Sequence, residues 1–172
     1  LLDVHQLQGL ATFLDSLDKA RTSINSATGA PYPSLQSIAA RISSFEKEVR
    51  DIQQKTTSSG EVNDNATPQL NNIRGELRKR QQSLRNAIEA YLKSRNTEKY
   101  LQEKIVTKRN GRFVLVVRAE HRSAIPGIVH GSSGSGASLF LEPLTTVDIN
   151  NDIVALEDNE RREIRRVLMA LA

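Results

Sequence analysis

The chain has 172 residues, a net charge of +4 and no cysteine, which excludes disulfides, thiolate metal sites and cysteine nucleophiles. Hydrophobic residues make up 38% and aromatic residues only 4%, a balance typical of elongated helices that each bury one apolar stripe rather than of a compact α/β enzyme core. No apolar run approaches the roughly 20 residues that span a bilayer, and the first residues do not resemble a signal peptide, so we expect a cytoplasmic protein with no membrane partner.

The first part of the chain predicts two helices. Apolar residues at steps of three, four and seven predict a first helix from Val4 to Ile24, and the run Thr28–Pro33 then breaks the pattern. A second helix is predicted from Ser34 to Gln54. Its apolar residues repeat in the narrow seam of a helix packed on another helix: Leu35, Ile38, Ile42, Phe45, Val49 and Ile52.

A long third helix is predicted from Thr67 to Arg95. Thr67 is a suitable N-cap, and Pro68 occupies the first helical position, where its missing N–H costs nothing. Apolar residues recur every seven positions at Leu70, Leu77, Leu84 and Tyr91. A helix of about 40 Å with one thin apolar stripe is typical of an arm.

A change to β-branched runs predicts a small antiparallel sheet after this helix. Strands are expected at 105–107 and 113–117, because Asn110–Gly111 between them is the strongest short hairpin signal. Two more short strands are expected at 127–130 and 138–141.

A Gly/Ser run at 131–136 joins the last two predicted strands. It lacks the Gly-Lys-Ser/Thr sequence of a phosphate-binding loop, and a strand rather than a helix follows it. We interpret this run as a flexible hairpin loop, with backbone contact to a phosphate as the alternative.

A fourth helix is predicted from Thr146 to the end. The order of elements predicts an α+β fold, mostly α, with a small antiparallel β-sheet tip inserted between the last two helices. Because a long helix is not stable alone, we expect the third and fourth helices to pack antiparallel as a lever. The predicted organisation is a helical core segment (1–59), an outgoing lever helix with its connection (60–103), a β clamp (104–143) and a returning lever helix (144–172).

Positive charge is concentrated in the middle of the chain. From Arg74 to Arg122 there are fourteen Lys or Arg against five Glu, whereas residues 1–60 are balanced. A localised basic zone is typical of a polyanion binder, although a solvated helix face also fits. The candidate nucleic-acid-binding residues are the cations around and after the predicted hairpin: Lys108, Arg109, Arg112, Arg118 and Arg122.

Such cations would contact phosphates without reading the sequence of the nucleic acid. Base stacking has little support, since the nearby aromatic residues are few: Tyr100, Phe113 and Phe140.

No catalytic or metal-binding constellation is visible. The histidines His5, His121 and His130 lack a second ligand at metal-site spacing. We expect His121 to belong to a basic surface and His130 to make a local hydrogen bond. No serine has the strand–elbow–helix setting of a nucleophile, so we predict no catalytic residue, metal or cofactor in this chain.

Several ordered motifs resemble the type-two branch of the bacterial MutS family. They include Ile105–Leu115, Gly127–His130, Ser135–Pro143 and Asn150–Asn151, preceded by Gly60–Val62 and Pro68–Leu70. The resemblance covers about Gly60 to Leu168, and residues 1–59 match only in helical pattern. This chain departs from the family pattern at Gly131, Ser138 and His121.

The resemblance implies a piece of a longer, homodimeric, DNA-associated ATPase that uses ATP and Mg and carries a C-terminal Smr endonuclease domain. It further implies suppression of homologous recombination and, in some bacteria, splitting of collided ribosomes. This chain would be its non-catalytic lever and clamp, which contacts branched or mismatched duplex DNA and couples that contact to the ATPase domain. The alternative is a helical interaction arm that binds ribosomal RNA or a protein partner.

Overall fold

A computed structural model describes residues 2–27 and 32–172 and divides the chain into two compact units. Unit 1 runs to Asn71 and includes Arg161–Ala172, and unit 2 is Asn72–Glu160. Helices predominate over one small antiparallel sheet, which confirms the predicted α+β, mostly α class. The elements are α1 (Val4–Ser26), α2 (Pro33–Ala39), α3 (Glu46–Lys55), α4 (Pro68–Lys93), α5 (Arg95–Glu98), β1 (Leu101–Arg109), β2 (Arg112–Arg118), β3 (Gly127–Ser132), β4 (Ser138–Pro143) and α6 (Val147–Leu171).

In unit 1, α1 begins where the sequence predicts. The Asp3 carboxylate accepts from the Gln6 backbone N–H at 2.8 Å, and the Gln6 side chain accepts from the Asp3 N–H at 3.0 Å, which forms a capping box. The helix then packs on α3 through a small buried cluster: Leu7, Ala11, Val49 and Ile52.

The predicted continuous helix from Ser34 to Gln54 is wrong. The chain forms α2 and α3 instead, because α2 closes with tight turns in which the Ile42 N–H donates to Ala39 O. The pair Ser43–Ser44 follows, and serine hydroxyls compete with helical hydrogen bonds. The interrupted seam leaves Leu35 and Ile38 exposed. Of the break predicted at Thr28–Pro33, residues 28–31 lie outside the described residues.

Thr67 caps α4, as predicted. Its hydroxyl oxygen accepts from the Leu70 N–H at 3.0 Å, while its O–H donates to Glu163 Oε1 at 2.6 Å. Glu163 is only 4% exposed and also accepts two hydrogen bonds from Arg166. Hydrogen bonds from Arg166 and then Thr67, with the Arg166 charge, outweigh burial and lower the pKa of Glu163 to about 2.

In unit 2, the four strands form an antiparallel sheet in the order β1-β2-β4-β3. Asn110 and Gly111 have φ values of 51° and 77°, which confirms the predicted hairpin turn with positive φ at both positions. Gly127 allows β3 to approach β4 closely, since a Cβ atom there would lie 2.4 Å from Glu142 O.

Helices α4 and α6 cover one face of this sheet and run antiparallel within unit 2, as predicted. Arg74 pairs with Glu160 at 2.7 Å and Arg80 pairs with Asp152 at 3.3 Å. The residue numbers of these partners increase along α4 and decrease along α6, so the two helices run in opposite directions. The core between helices and sheet contains Leu84, Ile88, Leu101, Leu115, Val117, Ile125, Leu141 and Ile153. The predicted division into four segments stays a prediction. Among the described helices, none is long and apolar enough to cross a membrane.

We expect Glu163→Gln to remove an acid-sensitive contribution to stability. A carboxylate whose pKa falls from 4.5 to about 2 on folding stabilises the fold fully above its unfolded value and loses that contribution as the pH falls towards 2. Between these values, the free energy of unfolding should fall more steeply in the wild type than in the variant, by up to about 1.4 kcal/mol per pH unit. Urea titrations across this range measure both slopes, and equal slopes would contradict the prediction.

Candidate nucleic-acid interface

The structure separates the five predicted cations between two ends of the sheet. The hairpin end, where Asn110–Gly111 turns, holds Lys108, Arg109 and Arg112. The loop end, where β3 turns into β4, holds Arg118 and Arg122. Because β2 has seven residues, these ends lie about 20 Å apart. The five cations therefore do not form one patch.

Lys108 and Arg109 project to opposite faces of the sheet. Lys108 lies opposite Phe113 in the β1–β2 register and pairs with Glu157 of α6 at 2.9 Å, so it faces the helices. The Arg109 guanidinium instead lies 4.2 Å from the centroid of the Phe140 ring, on the other face. Arg109 is exposed.

Arg112 is a structural cation. Its side chain is 15% exposed, and its Nη2 and Nε atoms donate to the Glu142 carboxylate at distances of 2.5–3.1 Å. Its remaining donors reach Asn151 Oδ1 at 2.6 Å and Val147 O at 3.2 Å. Since these donors are used within the protein, Arg112 has little left to offer a phosphate.

Glu142 is the centre of this network and is wholly buried. His130 Nε2 lies 2.6 Å from Oε2, and Asn150 Nδ2 donates to Oε1 at 2.9 Å. Burial acts to raise the pKa of Glu142, but hydrogen bonds from Arg112, His130 and Asn150, together with the Arg112 charge, lower the pKa below its ordinary value. The ionised carboxylate therefore accepts from all three partners.

Asn150 connects the network to the backbone of β2. Its side chain accepts from the Phe113 N–H at 3.0 Å and donates to Phe113 O at 3.2 Å, as a neighbouring strand would. Sequence reasoning predicted a local hydrogen bond for His130 but missed the roles of Glu142 and Asn150. The one available signal was a carboxylate at the end of an apolar strand, where burial demands a partner.

We expect Arg112→Ala to destabilise the protein by about 3–5 kcal/mol, because it leaves a buried carboxylate without its cation. Arg109→Ala is the matched control, since it removes the same charge from the same hairpin end and should cost less than about 1 kcal/mol. Urea unfolding of the two variants compares them. Equal losses would contradict the assignment of Arg112 to the buried network.

The loop end presents cations beside two rings. Arg118 and Arg122 are exposed and flank the short 3-10 turn Ala119–His121. Lys99 Nζ lies 5.0 Å from the Tyr100 ring centroid, and the His121 ring lies 5.1 Å from the same ring. We call these five residues the loop-end surface.

Residues 133–136 of the Gly/Ser run form the turn between β3 and β4, which confirms the predicted hairpin loop there, whereas Gly131 and Ser132 belong to β3. The Gly136 N–H donates to Ser133 O, and the Ser133 N–H donates to Ser138 O, both at 2.9 Å. The Ala119 N–H donates to Ala137 O at 3.0 Å, so the loop borders the loop-end surface. Contact of its backbone with a phosphate stays a prediction.

Within residues 2–27 and 32–172, no group of three or more His, Asp or Glu side chains is placed to bind a metal ion.

The chain matches no protein-family model. It is similar to proteins named Endonuclease MutS2: 36% identical over 172 residues to that of Alkaliphilus oremlandii, covering 99% of this chain and 22% of the relative. It is 43% identical over 141 residues to the Pelotomaculum thermopropionicum protein, covering 82% of this chain and 18% of that relative. It is 37% identical over 169 residues to the Clostridioides difficile protein, covering 95% of this chain and 21% of that relative. The chain thus spans about a fifth of the length of the curated relatives it matches.

Proposed function

This chain belongs to the MutS2 branch of the MutS family, and on that premise we propose that it is a non-catalytic segment through which a larger endonuclease contacts the backbone of DNA. The relatives are named endonucleases, and the chain covers about a fifth of their length. We therefore propose that cleavage belongs to the whole protein, and that this segment contributes binding.

The observation that carries the proposal is the exposure of Arg118 and Arg122 beside Lys99 at one end of the sheet. Residues 99–122 hold seven Lys or Arg against two Glu. Guanidinium groups suit phosphate oxygens because their planar donors match them in pairs. Contacts of this kind supply affinity that does not depend on base sequence.

Ion pairs within the protein reduce the number of cations that we propose as contact residues. Arg118 and Arg122 at the loop end are the main candidates, with the exposed Arg109 as a further one. Lys108 and Arg112 have carboxylate partners in Glu157 and Glu142, so a phosphate would have to compete with an existing ion pair.

We also propose that α4 and α6 transmit nucleic-acid contact as a lever. Support comes from the ion pairs that join the two helices within unit 2 and from the Asn150 contacts that attach β2 to α6. Packed helix pairs can move as one body. The coupled ATPase with its Mg, the dimer and the suppression of recombination belong to the same proposal for the full-length protein, and rest on the family resemblance.

We expect Arg118→Gln/Arg122→Gln to weaken binding of the full-length protein to duplex DNA and to flatten its salt dependence. Each lost phosphate contact lowers the slope of log K against log salt by about 0.9, so the double variant should lose about 1.8. The control is Lys47→Gln/Arg50→Gln, which removes the same charge from α3. Fluorescence anisotropy over a salt series measures both slopes.

An unchanged slope in the Arg118/Arg122 variant, or an equal loss in the control, would contradict the proposal. Measuring the binding of the same variants to ribosomes decides between DNA and ribosomal RNA as the ligand. A loss confined to ribosome binding would overturn DNA as the ligand.

A further inference from the structure

We propose that the loop-end surface stacks one unpaired base on His121, with Tyr100 behind the imidazole ring and the cations on adjoining phosphates. The inference rests on the proposed DNA contact and specifies its ligand as DNA with an unpaired base, such as a bulge, a gap or a branch. Counting Phe, Tyr and Trp in the sequence does not reveal this site, because one of its two rings is a histidine 21 positions from the other.

The rings are held in place by backbone hydrogen bonds. The Arg118 N–H donates to Tyr100 O, and the Tyr100 N–H donates to Thr97 O, both at 2.9 Å. Tyr100 is half-buried and packs against the core of unit 2. Since the Ala124 N–H donates to His121 O at 2.9 Å, the turn that carries His121 is also fixed.

His121 is the accessible member of the pair. Its side chain is 37% exposed, and its ring is tilted by 58° to Tyr100 at a centroid distance of 5.1 Å, a favourable arrangement for two aromatic rings. Lys99 occupies a position over the Tyr100 ring, so a base would reach His121 more readily than Tyr100.

The charged side chains around the two rings indicate where the phosphates of a bound strand would lie. The Glu120 carboxylate lies 3.5 Å from His121 Nε2, and its negative charge disfavours a phosphate at that edge of the ring. Arg118 and Arg122, on either side of the turn, would bind the phosphates that flank the stacked base. A cationic groove beside an aromatic ring is a common means of binding single-stranded nucleic acid.

A continuous duplex cannot use such a ring, because its bases are already stacked on each other. The surface should therefore add affinity only for DNA in which a base can leave the helix, at a low unstacking cost. The backbone contacts serve both kinds of DNA. A preference for DNA with an unpaired base therefore tests the stacking site, whereas binding to a continuous duplex tests the proposed backbone contact.

The test uses the full-length protein and two substitutions. His121→Leu keeps an apolar side chain against Tyr100 but removes the ring, whereas His121→Phe keeps a ring. Affinities are measured for a fully paired duplex and for the same duplex with one unpaired thymine. Thermal unfolding of both variants compares their packing.

We expect the wild type and His121→Phe to prefer the bulged duplex, and His121→Leu to lose about tenfold in affinity for the bulged duplex alone. An unchanged preference in His121→Leu, or equal losses on both duplexes, would overturn the stacking role. Equal wild-type affinity for both duplexes would overturn it while leaving the proposed DNA contact in place. No binding to either duplex would overturn both.

Crosslinking provides a second measurement. An iodouracil at the unpaired position, activated by light, should attach to the tryptic peptides that contain His121 or Tyr100, residues 119–122 or 100–104. Attachment to peptides elsewhere in the chain, with these two unmodified, would overturn the assignment.

Discussion

The buried carboxylate of Glu142 is the constraint on which the sheet of unit 2 depends. An ion removed from water in this way is tolerated only when a counter-charge and hydrogen bonds replace its hydration. Arg112 from β2, His130 from β3 and Asn150 from α6 supply these groups. One side chain therefore requires four elements to take up particular positions, and it does so at the hairpin end, where the sheet meets the start of α6.

The same requirement divides the cations of the chain into two kinds. Arg112 forms an ion pair with the buried carboxylate of Glu142, and Lys108 forms an ion pair with Glu157. Arg118 and Arg122 lie at the other end of β2, close to a turn and a loop, and remain exposed. Residues of one chemical type, within about fifteen positions of one another, thus pair with carboxylates at one end of the sheet and remain exposed at the other.

Features that depend on neighbouring residues could be predicted well. Thr67 and Pro68 mark the start of α4, Asn110–Gly111 marks the hairpin, and the apolar repeats mark α1, α4 and α6, because caps, turns and amphipathic stripes each act over a few residues. The second predicted helix failed for a related reason. An apolar repeat records spacing, but spacing does not say whether Leu35 and Ile38 find a surface to pack against, or whether a serine pair interrupts the backbone.

The sequence by itself determined the family, the mostly helical α+β class, the order of the elements and the basic zone in the middle of the chain. Tertiary structure decided which cations are exposed and which rings meet. Arg112 and Glu142 are 30 positions apart, and Tyr100 and His121 are 21 apart. Pairing of strands brings each of these pairs together, and partners at such separations depend on sheet register, which no local pattern in the sequence records.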